Sequence, residues 1–329
     1  MKQRILTGIT TTGTPHIGNY IGAIKPAIKN VNKFDESFFF LADYHSIIKT
    51  NNLEKINESV KNVALSWLCS DLDIKKSVFY RQSDVPEILE LTWILNCVTA
   101  KGLMNRAHAY KSAVSENTKE PDKGINMGLF SYPILMAADI LMFDANFVPV
   151  GSDQIQHIEM TRDIANRFNY LYKETFNIPE ALISSNNEVV PGVDGKKMSK
   201  SYKNIIPLLS SESELKKSIM KIVTNSLEPG EPKDHKDCTI FNLYKHFSTK
   251  EELEIFENEY ADGISWGEAK NKLFNKINSE LLEVREKYTE LNNQPDLIND
   301  LLSDGAKKAR SIAKEKILSV REAVGINKL

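Results

Sequence analysis

The strongest constraint on the fold is a set of short segments that are apolar without alternation, at residues 4–8, 37–42, 77–81 and 146–151. The second reads Ser37-Phe38-Phe39-Phe40-Leu41-Ala42, with no polar face to turn toward water. A strand with one solvated face alternates apolar and polar residues, whereas a strand covered on both faces does not. Helical patterns separate these segments, including one from about residue 53 to 72. Strands that alternate with helices imply βαβ units, and hence a parallel sheet with helices on both faces. The expected fold class is α/β, a doubly wound parallel-sheet Rossmann-type domain.

The pattern changes after about residue 206. Over residues 251–291 and 297–324, Leu, Ile and Phe recur at three- and four-residue spacing inside charged stretches, which is the pattern of amphipathic helices. A length of 329 residues has room for two domains. The expected division is a catalytic domain over 1–206 and a helical domain over 207–329, with the last helix packing back on the first domain. Residues 115–124 are polar and aperiodic, and are expected to form an exposed loop.

Several function classes are excluded by composition. No apolar run reaches the roughly 18 residues of a membrane-spanning helix, because the nearest, 129–143, is interrupted by Pro133 and Asp139. The start, Met1-Lys2-Gln3-Arg4, is followed by no long apolar core, so no signal peptide and a cytoplasmic location are expected. Cys69, Cys97 and Cys238 are scattered, which argues against a disulfide framework or a cysteine-rich metal site. A net charge of -2 disfavours a nonspecific nucleic-acid coat and leaves room for a local basic patch. Lys307, Lys308, Arg310, Lys314 and Lys316 form such a patch, either a phosphate footprint or a solvated helix face.

Two loops carry the chemistry. After the first apolar segment comes Thr10-Thr11-Thr12-Gly13-Thr14-Pro15, then His16-Ile17-Gly18-Asn19. Thr14 reads as an N-cap and Pro15 as the first residue of a helix. Free N–H groups at a helix start attract phosphate, Gly18 permits close approach of a nucleotide, and His16 can donate to a phosphate oxygen. Taken alone, the string equally fits a plain capped helix. The second loop, Lys197-Met198-Ser199-Lys200-Ser201, follows Pro191-Gly192-Val193-Asp194-Gly195. Two lysines in a Gly- and Ser-rich loop suit the charge that builds on a leaving pyrophosphate, although a five-residue string can also be a surface loop.

A third signal is the apolar helix expected over 131–143, which reads as buried all round yet contains Asp139. A buried carboxylate must be paired. Its partner is either a structural donor or, on a face carrying Tyr132 and Met136, an indole N–H, which is donor-only where the carboxylate is acceptor-only.

Together the two loops resemble the signatures of the class I aminoacyl-tRNA synthetases, with HIGN in place of HIGH and KMSKS intact. The string Gly18-Asn19-Tyr20, the segment around Tyr132-Pro133 to Asp139, and Val148-Pro149-Val150-Gly151 are similar to the tryptophanyl members. That resemblance implies ATP, with Mg2+, as cosubstrate, tryptophan and tRNA(Trp) as partners, and a homodimer. It implies catalytic roles for His16, Asn19, Lys197 and Lys200, and no dedicated metal site. It places ATP against Thr14, Gly18, Asn19, Lys111, Gly151, Asp153, Lys197, Met198, Ser199 and Lys200. Tryptophan would lie against Gly8, His45, Tyr132, Met136, Asp139 and Gln154. His45 reads equally as an ordinary histidine at a strand end. The sequence departs from the family at Thr10-Thr11-Thr12, where many bacterial members carry Gln-Pro-Ser. Three alternatives stand beside this reading: a tyrosyl-specific synthetase, a nucleotidyltransferase without tRNA, and a noncatalytic paralogue.

Overall fold

Five strands form one sheet in the computed structural model, which describes residues 2–117, 120–183 and 189–326. They are β1 (Arg4–Thr10), β2 (Glu36–Ala42), β3 (Ser77–Arg81), β4 (Phe147–Val150) and β5 (Glu180–Ile183). Their order is β3-β2-β1-β4-β5, and every pairing is parallel. β2 shows why its sequence does not alternate. Phe38 and Phe40 enter the core on one face with Phe143 and Tyr80, while Phe39 and Leu41 enter the core on the other with Trp67. β5 was not legible in the sequence, because this four-residue edge strand has exposed ends and no buried residue to reveal it.

The strand order reverses between β1 and β4, so the crevice at their carboxyl ends is the expected ligand site of an open parallel sheet. Two helices next to this crevice differ slightly from expectation. The first runs Leu53–Cys69, started by Asn52, whose side chain accepts from Lys55 N at 2.9 Å. The second runs Met127–Met142, starting earlier than read because the Asn126 side chain accepts from Leu129 N at 2.8 Å. It is buried from Ala137 to Met142, but Ser131, Tyr132, Leu135 and Met136 are only partly covered, so it is not buried all round. Residues 115 and 116 end the helix His108–Glu116, so the expected loop starts only at Asn117, and 118–119 lie outside the described residues.

Beyond residue 206 come Glu212–Met220, Lys250–Ala261, Trp266–Glu280, Leu282–Leu291 and Pro295–Val324. Three of these helices begin with capping boxes, built by Ser211 with Glu214, Thr249 with Glu252, and Ser265 with Glu268. Their buried Phe256, Leu273 and Ile277 share a core with Phe39 and Phe79 of the sheet. The last helix lies on β3 so closely that a Cβ on Gly305 would stand 1.7 Å from the Phe79 carbonyl oxygen. Arg310 pairs with Glu87, Arg321 with Glu90, and Lys316 with Asp144. Two of the five cations of the run, Arg310 and Lys316, therefore anchor this helix, while Lys307 pairs with Asp304 of the same helix and Lys308 and Lys314 are exposed.

Candidate active site

β1 delivers the chain into a turn fixed at several points. Gly13 has φ +77°, a conformation that favours glycine, and its N–H donates to Ser59 Oγ at 2.7 Å. Ser46 Oγ donates to the Thr11 carbonyl at 2.9 Å, and the two hydroxyls meet at 2.7 Å. The Thr10-Thr11-Thr12 departure from the family thus has a structural role, because Thr11 ties this turn to the segment that follows β2. Thr14 is not the helix cap, since its hydroxyl accepts from Asn62 Nδ2 at 3.0 Å. The cap residue is His16, whose N–H donates to Asn19 Oδ1 at 3.1 Å, and helix Ile17–Asn19 opens directly into a π-turn over Tyr20–Ile24. Such wide turns are rare and concentrate at functional sites.

The segment after the lysine loop locks onto this turn, with Ile17 N donating to Ile206 O at 2.9 Å and Leu208 N to Pro15 O at 3.1 Å. Lys200 Nζ donates to the carbonyl oxygens of Thr12 and Gly13. Met198 is buried, with its sulfur 3.4 Å from Gly18 N. Asn204 shapes the loop by accepting from Ser199 N at 2.8 Å and donating to Lys197 O at 3.1 Å. Lys197 itself is exposed. The fold therefore brings His16, Gly18, Asn19, Met198, Ser199 and Lys200 together although they are far apart in sequence.

Burial sets the protonation of this cluster. Burial, and then the Lys200 charge, lower the His16 pKa to about 4, so the imidazole is neutral near pH 7. Its Nδ1 is buried with no partner, a polar atom left for a ligand to satisfy. Burial, and then the nearby Lys49, lower the Lys200 pKa to about 8. An anion arriving beside Lys200 would restore its full charge.

Asp139 is 1% exposed at the far side of the crevice. His45 Nε2 donates to its Oδ2 at 3.0 Å, and Gln82 Nε2 donates to both oxygens at 2.8 and 3.0 Å. Burial raises the Asp139 pKa, and these two donors oppose the shift. Tyr132 lies edge-on to His45, with ring centroids 6.3 Å apart, and its hydroxyl meets His157 Nε2 at 2.6 Å. Met136 is partly buried on the same helix. Gly8 lies under Phe40, where a Cβ would come within 2.4 Å of the ring. Tyr132 also lines an open cavity of about 400 Å³ with Tyr44, Ile48, Leu89 and Leu135.

Gln82 and His157 were not picked out from sequence. Gln82 directly follows the third apolar segment, at a strand's carboxyl end, and that position was the available signal. Gly151, Asp153 and Gln154 follow β4: Gln154 Nε2 donates to Asp153 Oδ2 at 3.1 Å, and a Cβ on Gly151 would meet Asp153 Oδ1 at 2.7 Å. Lys111 lies on the exposed face of its helix, and among the described residues its side chain makes no hydrogen bond or ion pair, so the geometry does not join it to the lysine loop.

The family model described as class I tRNA synthetases for W and Y matches residues 1–282. A Neisseria meningitidis protein named tryptophan–tRNA ligase is 56% identical over 333 aligned positions, covering 100% of this chain and 99% of its own. The chain belongs to the tryptophan–tRNA ligase family. A ligase of the same name from Pseudomonas aeruginosa is 54% identical over 100% of this chain and 75% of its own length. A solved tryptophanyl-tRNA synthetase from Campylobacter jejuni, complexed with ADP and tryptophan, is 44% identical with a TM-score of 0.90, over 98% of this chain and 100% of that one. A tyrosyl-tRNA synthetase from Archaeoglobus fulgidus is only 17% identical, at a TM-score of 0.65, and shares the fold alone. This ligase is thus an enzyme of the aminoacyl-tRNA synthetase class, and the tyrosyl, nucleotidyltransferase and noncatalytic alternatives give way.

Proposed function

We propose that this ligase activates tryptophan with ATP and transfers the tryptophanyl group to tRNA(Trp). The observation that carries the reading is the meeting of Lys200 and the unpartnered, neutral His16 at the glycine turn after β1. In the first step the tryptophan carboxylate attacks the α-phosphorus, and the bond to the leaving pyrophosphate breaks. His16 donates to phosphate oxygen, Asn19 holds the His16 backbone, and Lys197 and Lys200 neutralise charge on the leaving group. No side chain becomes covalently attached, because positioning and charge stabilisation lower the barrier. In the second step the terminal ribose hydroxyl of the tRNA attacks the acyl carbon and AMP leaves.

Gly18, Thr14, Met198 and Ser199 fit the adenosine phosphate path, and Gly151 with Asp153 the ribose. Lys111 remains a proposed phosphate contact reached from its exposed helix. Mg2+ enters with ATP on the phosphate oxygens, as part of the substrate. Among the described residues no cluster of three or more His, Cys, Asp or Glu side chains is arranged to hold a metal. Tryptophan lies with its indole N–H toward Asp139, with His45, Met136 and Gly8 around the ring and with Tyr132 and Gln154 at its ammonium and carboxylate end.

The division into a catalytic domain over 1–206 and a tRNA-binding helical domain over 207–329 belongs to the same reading. A homodimer is supported by the exposed apolar face around the open cavity, where Ile47, Trp93 and Met127 are 58%, 71% and 72% exposed. No helix among the described residues is long and apolar enough to cross a membrane, and a cytoplasmic role in protein synthesis follows from the reaction. Charging assays with labelled tryptophan test the proposal. Acylation of tRNA(Trp) is expected, and tryptophan left unattached in the presence of ATP would overturn it.

A further inference from the structure

We propose that Gln82 is a specificity-determining positioning residue, which acts through Asp139 to keep one carboxylate lone pair directed at the amino-acid ring. The inference rests on the reading of Asp139 as the indole acceptor. Gln82 is fully buried, in the short turn Gln82–Asp84 at the carboxyl end of β3. Its amide orientation is determined, because Oε1 accepts from Tyr44 N at 3.1 Å and therefore Nε2 must face Asp139. That nitrogen lies between the two carboxylate oxygens, at 2.8 Å from Oδ1 and 3.0 Å from Oδ2. His45 adds one further donor, to Oδ2 alone. An ionised carboxylate offers about four acceptor positions, so Oδ1 keeps capacity for one more donor, and an indole N–H is a donor of that kind.

The local geometry explains why the position carries an amide. A glutamate there would set acceptor against acceptor at Asp139 and face the Tyr44 N–H with a charge. A methionine would fill the volume and donate nothing. Tyr44 N also lies 3.1 Å from Asp43 Oδ1, and Ser83 N donates to the same oxygen at 3.0 Å, so the ends of β2 and β3 are stitched together around the amide. Gln82 therefore transmits the register of two strands to one carboxylate on a helix.

The test compares tryptophan with its benzothienyl analogue, in which sulfur replaces the indole N–H, by amino-acid-dependent pyrophosphate exchange into ATP. Wild-type enzyme, Gln82→Glu, Gln82→Met and Asp139→Asn are assayed, with thermal unfolding read alongside. The expected result is that Gln82→Glu raises KM for tryptophan about tenfold or more, leaves kcat nearly unchanged, and barely moves KM for the analogue. Gln82→Met changes KM in the same direction and keeps the test decisive if the glutamate variant fails to fold. If wild type prefers tryptophan and Asp139→Asn loses the preference while both Gln82 variants keep it, the Gln82 proposal is overturned and the Asp139 reading stands. If wild type and Asp139→Asn show no preference, the Asp139 reading itself fails. Equal shifts in KM for tryptophan, the analogue and ATP would mark Gln82 as structural only, which also overturns the proposal.

Discussion

At the scale of single residues, the account turns on two side chains whose protonation the fold has changed. In the proposed mechanism Lys200 must carry its charge to stabilise a leaving pyrophosphate, and burial has brought its pKa to about 8. In the free enzyme, kcat/KM for ATP in adenylate formation is expected to fall as pH rises through about 8, and Lys200→Arg should move that limb upward. Lys200→Ala should slow adenylate formation by about 10²–10³-fold while tryptophan binding persists; equal loss of binding would indicate a structural role. His16 is shifted downward as well, and its shift bears on stability against acid. With a folded pKa of about 4, it stays neutral while an unfolded histidine takes up a proton near 6.5, so acid favours the unfolded chain. Its contribution to stability is intact above pH 6.5 and is lost as pH falls toward 4, up to about 3 kcal/mol in total. His16→Gln should flatten that part of the curve of urea stability against pH. The identities of these residues were legible in the sequence from their motifs. Their protonation states were not, because burial is a property of the assembled fold. Gln82 was missed for the same reason, since its importance comes from a partner on another element.

At the scale of elements, β1 to β4 were legible because strands covered on both faces must be apolar throughout, and β2 is the clearest case. β5 was not, because a short edge strand makes no such demand on its residues. The helix at His16 starts two residues beyond the Thr14 cap and Pro15 first turn that the sequence suggests, for a physical reason. Thr14 and Pro15 have the chemistry of a cap and first turn, but tertiary bonds from Asn62 and Leu208 occupy them. The last helix offers a stability test. Because a Cβ on Gly305 would fall inside contact distance of the β3 backbone, Gly305→Ala should cost about 2–4 kcal/mol in urea unfolding. Arg310→Ala, which removes a partly exposed pair with Glu87, should cost about 1 kcal/mol or less. A reversed order of these two costs would show that charge, rather than close packing, holds the helix on the sheet.

At the scale of the whole molecule, the helical half and the sheet share one continuous core, so the lysine loop and the His16 turn are held by the same packing that orders the chain. The exposed apolar face that carries Trp93 lies beside the cavity lined by Tyr132, which joins the proposed dimer contact to the amino-acid end of the crevice. Trp93→Glu should shift the sedimentation coefficient from that of a dimer to that of a monomer, and a species unchanged from wild type would remove this face from the interface. The central claim concerns chemistry, and it is tested most directly by exchange of labelled pyrophosphate into ATP, with each of the twenty amino acids in turn and no tRNA. The account predicts exchange with tryptophan alone; exchange driven by tyrosine, or none with any amino acid, would contradict it.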